Sequence, residues 1–137
     1  MKKLLLISIV LTLITSSCDY YEKRKITGHY YLVAVDINYN TALCYDDEPD
    51  SKGSSIVVSA CVFAVGYNEK YIVAKQHPVD DLGPRYPNRK ITNYFIIPIE
   101  SMYIPNETPL NEFQFKQEKL KLGIEDLQFT IIDHSLE

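Results

Sequence analysis

Hydrophobic and polar positions divide the chain into one opening apolar run, a series of short β-patterned blocks and a single helical block near the end. Leu4 to Ile14 is apolar except at Ser8 and Thr12; it follows Lys2 and Lys3 and gives way to Thr15, Ser16 and Ser17. That order of charge, short apolar segment and small residues is what a secretory signal peptide needs, and the run is well short of the ~20 residues that span a bilayer. Asp19 to Lys25 reads as a polar tether. Tyr30 to Ile37 is the first expected strand, apolar on both faces and therefore interior to a sheet. A turn at Asn38–Asn40 leads to a short strand around Ala42–Tyr45.

The stretch Ile56 to His77 predicts a hairpin, with Asn68 suited to a tight turn. A two-residue Asn68–Glu69 loop sets Val65 against Ile72, Phe63 against Ala74 and Gly66 against Tyr71, where an aromatic ring would cover the glycine. Thr92 to Ile99 is the next strand, and Pro98 marks an edge or the strand's end. Thr108 is the expected helix cap, with Pro109 in the first turn, Gly123 as the stop, and Lys119 and Lys121 at the negative end. Leu110, Phe113, Leu120 and Ile124 form a roughly helical stripe, and Glu112 and Lys116 stand four apart. Phe115 and Leu122 fall off that stripe and are either a candidate partner surface or extra core contact. Leu127 to Ile132 returns as a last strand. These elements predict one α+β domain: an antiparallel sheet of five or six strands with one C-terminal α-helix packed on it.

Cys18 stands directly after the small residues, so the N-terminus resembles a bacterial lipoprotein signal. Thr15 occupies the place where Leu is usual, and Ser17 supplies the small residue before the cysteine. The expected organisation is a signal peptide over 1–17, a lipidated Cys18 with a short tether over 18–27, and a single domain over 28–137. Acyl chains on Cys18 hold a protein to a membrane at ~0.8 kcal/mol per buried CH₂. The expected location is the cell envelope, anchored to a bacterial membrane, with the inner or outer membrane and its face left open.

The formal charge is −4 and becomes more negative when Lys2 and Lys3 leave with the signal. An acidic chain argues against a nucleic-acid partner, because phosphate neutralisation needs basic residues. With Cys18 acylated, only Cys44 and Cys61 remain. Export favours a bridge between them; hairpin geometry opposes it, because Cys44 falls opposite a residue near 56 and not 61. A thiol enzyme would need one of these cysteines beside a histidine. In the register above Cys61 faces Gln76, whereas a three-residue turn would place it against His77.

Asp46, Glu48 and Asp50 invite a calcium reading, but Ser51 and Val57 stand where an EF-hand loop needs Gly and Glu, so 46–53 reads as a solvated acidic turn. The connection from His77 to Ile91 is long and rich in Pro and charge, and loops of that kind often carry function. His77, Asp80 and Asp81 offer metal-ligand chemistry, Arg85, Arg89 and Lys90 anion-binding chemistry, and Tyr86 and Tyr103 are the rings a glycan would stack on. No metal or cofactor motif is present, and His29 and His134 read as surface residues.

Three blocks carry a family resemblance: Ile26-Thr27-Gly28-His29-Tyr30-Tyr31-Leu32-Val33-Ala34-Val35-Asp36, the run from Val62 to Pro78, and Ile91-Thr92-Asn93-Tyr94-Phe95-Ile96-Ile97. Together they resemble a family of small, uncharacterised lipoproteins from Bacteroidota and similar bacteria. The resemblance implies an envelope lipoprotein and no assigned activity. The functional expectation is a non-enzymatic module that binds an envelope protein partner or supports an assembly, without a cofactor. The alternative is a binder of small ligands or glycans.

Overall fold

The computed structural model describes residues 21–35, 40–47, 54–79, 86–100 and 108–137. Among the described residues eight strands and one helix follow in order: β1 Tyr21–Thr27, β2 Tyr30–Val35, β3 Thr41–Tyr45, β4 Ser55–Val58, β5 Val62–Tyr67, β6 Tyr71–Gln76, β7 Asn93–Pro98, α1 Glu112–Leu122 and β8 Ile131–Ile132. They form two antiparallel sheets of four strands each, ordered β1-β2-β3-β4 and β7-β6-β5-β8. Antiparallel strands with a helix near the C-terminus agree with the expected α+β class among the described residues. The expected single sheet of five or six strands does not hold: there are two.

Two misread segments account for the difference. Tyr21–Thr27, expected as part of the tether, is an edge strand paired with β2 along its length. Its charged side chains hid it, and charge is what natural edge strands carry to block further pairing. The second is the corner at Ser59–Cys61, where the chain leaves the first sheet for the second. Cys61 has φ +71°, alone among the described non-glycine residues in the left-handed region. The buried Gln76 amide holds the corner, donating to Ser59 O at 3.1 Å, Ser59 Oγ at 2.8 Å and Ala60 O at 3.2 Å.

The β5–β6 turn sits one residue later than the sequence suggests. Asn68 N–H donates to Tyr71 O at 3.0 Å, leaving Glu69 and Lys70 as the two loop residues. Asn68 acts through its side chain, whose Oδ1 accepts from Lys70 N and Tyr71 N, both at 2.8 Å. The register therefore moves: Val65 faces Ala74 and Gly66 faces Val73. Tyr71 does not cover Gly66. The backbone of Gln128 and Phe129 does, so closely that a Cβ on Gly66 would lie 1.9 Å from Gln128 O.

The main core lies between the sheets, from Tyr30, Leu43 and Val58 on one side to Val65, Ile72 and Phe95 on the other. A second core of Val73, Ile96, Phe115 and Ile124 joins the outer face of the β5–β8 sheet to α1. The helix starts three residues after the expected cap. Asn111 caps it in a reciprocal box with Gln114, each side-chain oxygen accepting the other's backbone N–H at 2.9 Å. Leu110 pairs instead with Tyr94 on the free edge of β7, through two bonds of 2.9 Å. Gly123 closes the helix at φ +67°, as expected. Phe115 is buried and Leu122 half-buried, while Phe113 and Leu120 are 72% and 59% exposed. The inward face thus carries Phe115 and Leu122, the pair read as a candidate partner surface or extra core contact, together with Ile124 of the expected stripe.

Candidate functional site

Directly paired residues of neighbouring strands share a face, so the inner face of the first sheet can be read in rows. Tyr30 pairs with Tyr45, Leu32 with Leu43 and Ala34 with Thr41. The side chains shrink from row to row, and the second sheet does not close the gap at the small end. The result is a wedge-shaped cleft of about 230 Å³. Buried Val62, Phe63 and Val65 of β5 form its far wall, with Ile131 and Ile132 of β8 beside them.

Polar groups surround the mouth. Glu22 pairs with Ala34 and Arg24 with Leu32, so both charged residues sit on the inner face of β1, where the core otherwise demands apolar side chains. Asp133 faces them from the second sheet, its Oδ1 accepting from Ser135 N at 2.9 Å and Ser135 Oγ at 2.6 Å. Sequence reasoning missed all three residues. The signal was a two-residue alternation that places Glu22 and Arg24 in phase with Ile26, legible only once 21–27 is taken as a strand.

The 77–91 connection plays a different part from the one its composition suggests. His77 is buried and stacked on Phe63, with ring centroids 4.3 Å apart. Its Nδ1 lies 2.8 Å from Ile91 O and its Nε2 2.9 Å from Leu136 O. Arg89 donates to Ser135 O at 2.8 Å. Both side chains therefore bind the C-terminal tail, whose Leu136 is buried against Phe63 and Ala64. Tyr86 is 61% exposed and lines neither this cleft nor the groove beside α1. Asp80, Asp81, Arg85 and Tyr103 lie outside the described residues, as does Cys18. Leu122 lines the groove beside α1 together with Tyr71, Ile96 and Leu110.

Asp46 departs from the solvated acidic turn expected of its segment. It is 1% exposed, bonded to Lys23 of β1, and its backbone N–H donates to His29 O at 2.9 Å. Burial pushes its carboxyl up, but the Lys23 bond, the Ser54 hydroxyl and the Lys23 charge outweigh that and hold it below its ordinary value. The Asp46 bond in turn raises the Lys23 ammonium. Among the described residues no cluster of three or more metal-ligating side chains occurs.

Cys44 and Cys61 are free and buried. Cys44 lies opposite Ile56, as the hairpin reading expected. Burial first, and then the Asp46 charge, push its thiol up to about 11, and burial likewise raises Cys61. A bulge at Phe63 brings Cys61 beside His77 after all, with His77 N–H donating to Cys61 O at 3.1 Å. The imidazole nitrogens, however, both face carbonyl oxygens. The Cys61–His77 contact is between backbones, and burial of the Cys61 thiol disfavours the thiolate that nucleophilic attack needs.

The sequence profile of a family described as a protein of unknown function (DUF3997) matches residues 27–134. No curated protein and no solved structure matches the chain.

Proposed function

We propose that this chain, which belongs to the DUF3997 family of proteins of unknown function, is a lipid-anchored envelope protein that works by binding and not by catalysis. The observation that carries the reading is the closeness of the signal pattern to the folded domain. Cys18 stands three residues before Tyr21, where β1 begins. An extended chain covers at most ~3.3–3.6 Å per residue, so an acylated Cys18 holds the domain within about 11 Å of its anchor. The two raised thiols, and a His77 ring set between the Ile91 and Leu136 carbonyl oxygens, support a role without covalent chemistry.

A protein partner is the reading favoured by the outer face of α1. Phe113 and Leu120 stand one heptad apart on it, both largely exposed. The test is crosslinking and affinity capture from intact envelopes, using a C-terminal tag with Cys18→Ala and Phe113→Glu/Leu120→Glu variants. The reading expects a specific partner that is lost in both. A partner captured equally well by either variant contradicts it.

A further inference from the structure

We propose that the cleft between the sheets binds a small zwitterion with an apolar body: an apolar amino acid or a short apolar peptide. This goes beyond the anchored-module reading and does not depend on whether Cys18 carries a lipid.

Three features of the cleft carry the inference. The first is its shape. The taper from Tyr30 through Leu32 to Ala34 leaves a cleft of about 230 Å³ beside the smallest row, lined by Leu32, Ala34 and Thr41. That lies below the ~300–1,000 Å³ typical of drug-sized ligands, so the occupant is small.

The second is the chemistry of the depth. Val62, Phe63 and Val65 are each at least 94% buried and offer an apolar wall to a hydrocarbon side chain. The third is the mouth, which carries both signs of charge on opposite sheets. Arg24 makes no hydrogen bond or ion pair with another described residue, so its guanidinium is available to a carboxylate. Asp133 is held in place by Ser135 and offers a fixed carboxylate to an ammonium group. Glu22, on the same face of β1, has an interaction of its own and is not counted among the ligand-binding charges. An amino acid satisfies both signs while burying its side chain; a simple anion or a simple amine satisfies only one.

Inward-pointing charges on an edge strand also serve to block pairing with another chain. That alternative predicts no ligand. The test is isothermal titration calorimetry on the full chain in phosphatidylcholine nanodiscs, with leucine, leucyl-leucine, leucinamide and 4-methylpentanoate as probes. Leucinamide lacks the carboxylate and 4-methylpentanoate the ammonium. Saturable binding of leucine or leucyl-leucine is expected, weakened about tenfold or more when either charge is removed from the ligand or when Arg24→Gln removes the cation. Thr41→Trp, which fills the mouth, should abolish it. Because variants can perturb folding, backbone amide shifts of the wild-type chain give a second readout, and the largest changes should fall on Arg24, Ala34, Val65 and Asp133. The proposal is overturned if neither zwitterion binds, if leucinamide binds as well as leucine, or if the shifts map elsewhere.

Discussion

Replacing Gly66 with alanine should destabilise this domain far more than the loss of one hydrogen suggests. The added Cβ would sit 1.9 Å from Gln128 O and 2.8 Å from its carbonyl carbon, both backbone atoms. Ordinary contact begins near 3.4 Å, so the 128–129 segment must retreat by roughly 1.5 Å, with the overlap typical of overpacked sites. That segment is fastened just downstream, by Thr130 N to Val65 O at 3.0 Å and Asp133 N to Phe63 O at 2.7 Å. Weakening two such bonds costs ~1 kcal/mol each, and residual overlap adds ~1–3 kcal/mol. The stiffer unfolded chain offsets ~0.4–1 kcal/mol, leaving a net loss of about 2–4 kcal/mol. At ~2.1 cal/mol/K per residue, this corresponds to a fall in Tm of roughly 8–16 °C. Gly123→Ala is the matched control. It has nothing within 4 Å of its new Cβ and suffers only from φ +67°, a penalty of ~1–2 kcal/mol. Thermal unfolding followed by circular dichroism measures both. A Gly66→Ala melt within about 2 °C of wild type would refute the crossing of 128–129 over β5.

Other expectations follow from particular contacts. Phe115→Ala should cost about 3–5 kcal/mol by emptying the core under α1, whereas Phe113→Ala should leave the melt nearly unchanged; urea unfolding separates them. Lys23→Met should lower Tm at pH 7, because it strands the buried Asp46 carboxylate. In the wild type the Asp46 pKa is depressed below 3.8, so its stabilisation is present above that pH and lost as pH falls through the folded value. Without Lys23, burial raises that pKa, so the gap between variant and wild type should narrow on acidification; melts from pH 7 to pH 3 test this. Cys44 and Cys61 should resist iodoacetamide in the folded chain at pH 8 and react once it is unfolded, as read by mass spectrometry.

The sequence made the strongly apolar strands legible and left the charged or divided ones obscure. β2, β3, β6 and β7 stand close to where β-branched and aromatic residues predicted them, and Pro98 does end an edge strand. β1 was hidden because Glu22, Lys23, Arg24 and Lys25 read as a solvated tether, and the same residues concealed half of the cleft's mouth. In α1, Phe113/Leu120 and Phe115/Leu122 are two equally spaced pairs on opposed faces. Period alone does not choose between them; contact with Val73 and Ile96 on the sheet does. Asp46 looked like one acid among several in a turn, and only its pairing with a strand 23 residues earlier shows it to be buried. His77 looked like a ligand donor in a loop, and its partners proved to be carbonyls at positions 91 and 136, contacts that no local pattern encodes.

The most direct test of the anchored-module account is intact-mass spectrometry of the protein purified from envelopes of the expressing cell. The account predicts a chain that begins at Cys18 and carries added acyl mass, lost in Cys18→Ala. A chain that begins elsewhere, or that begins at Cys18 without a lipid, would contradict it.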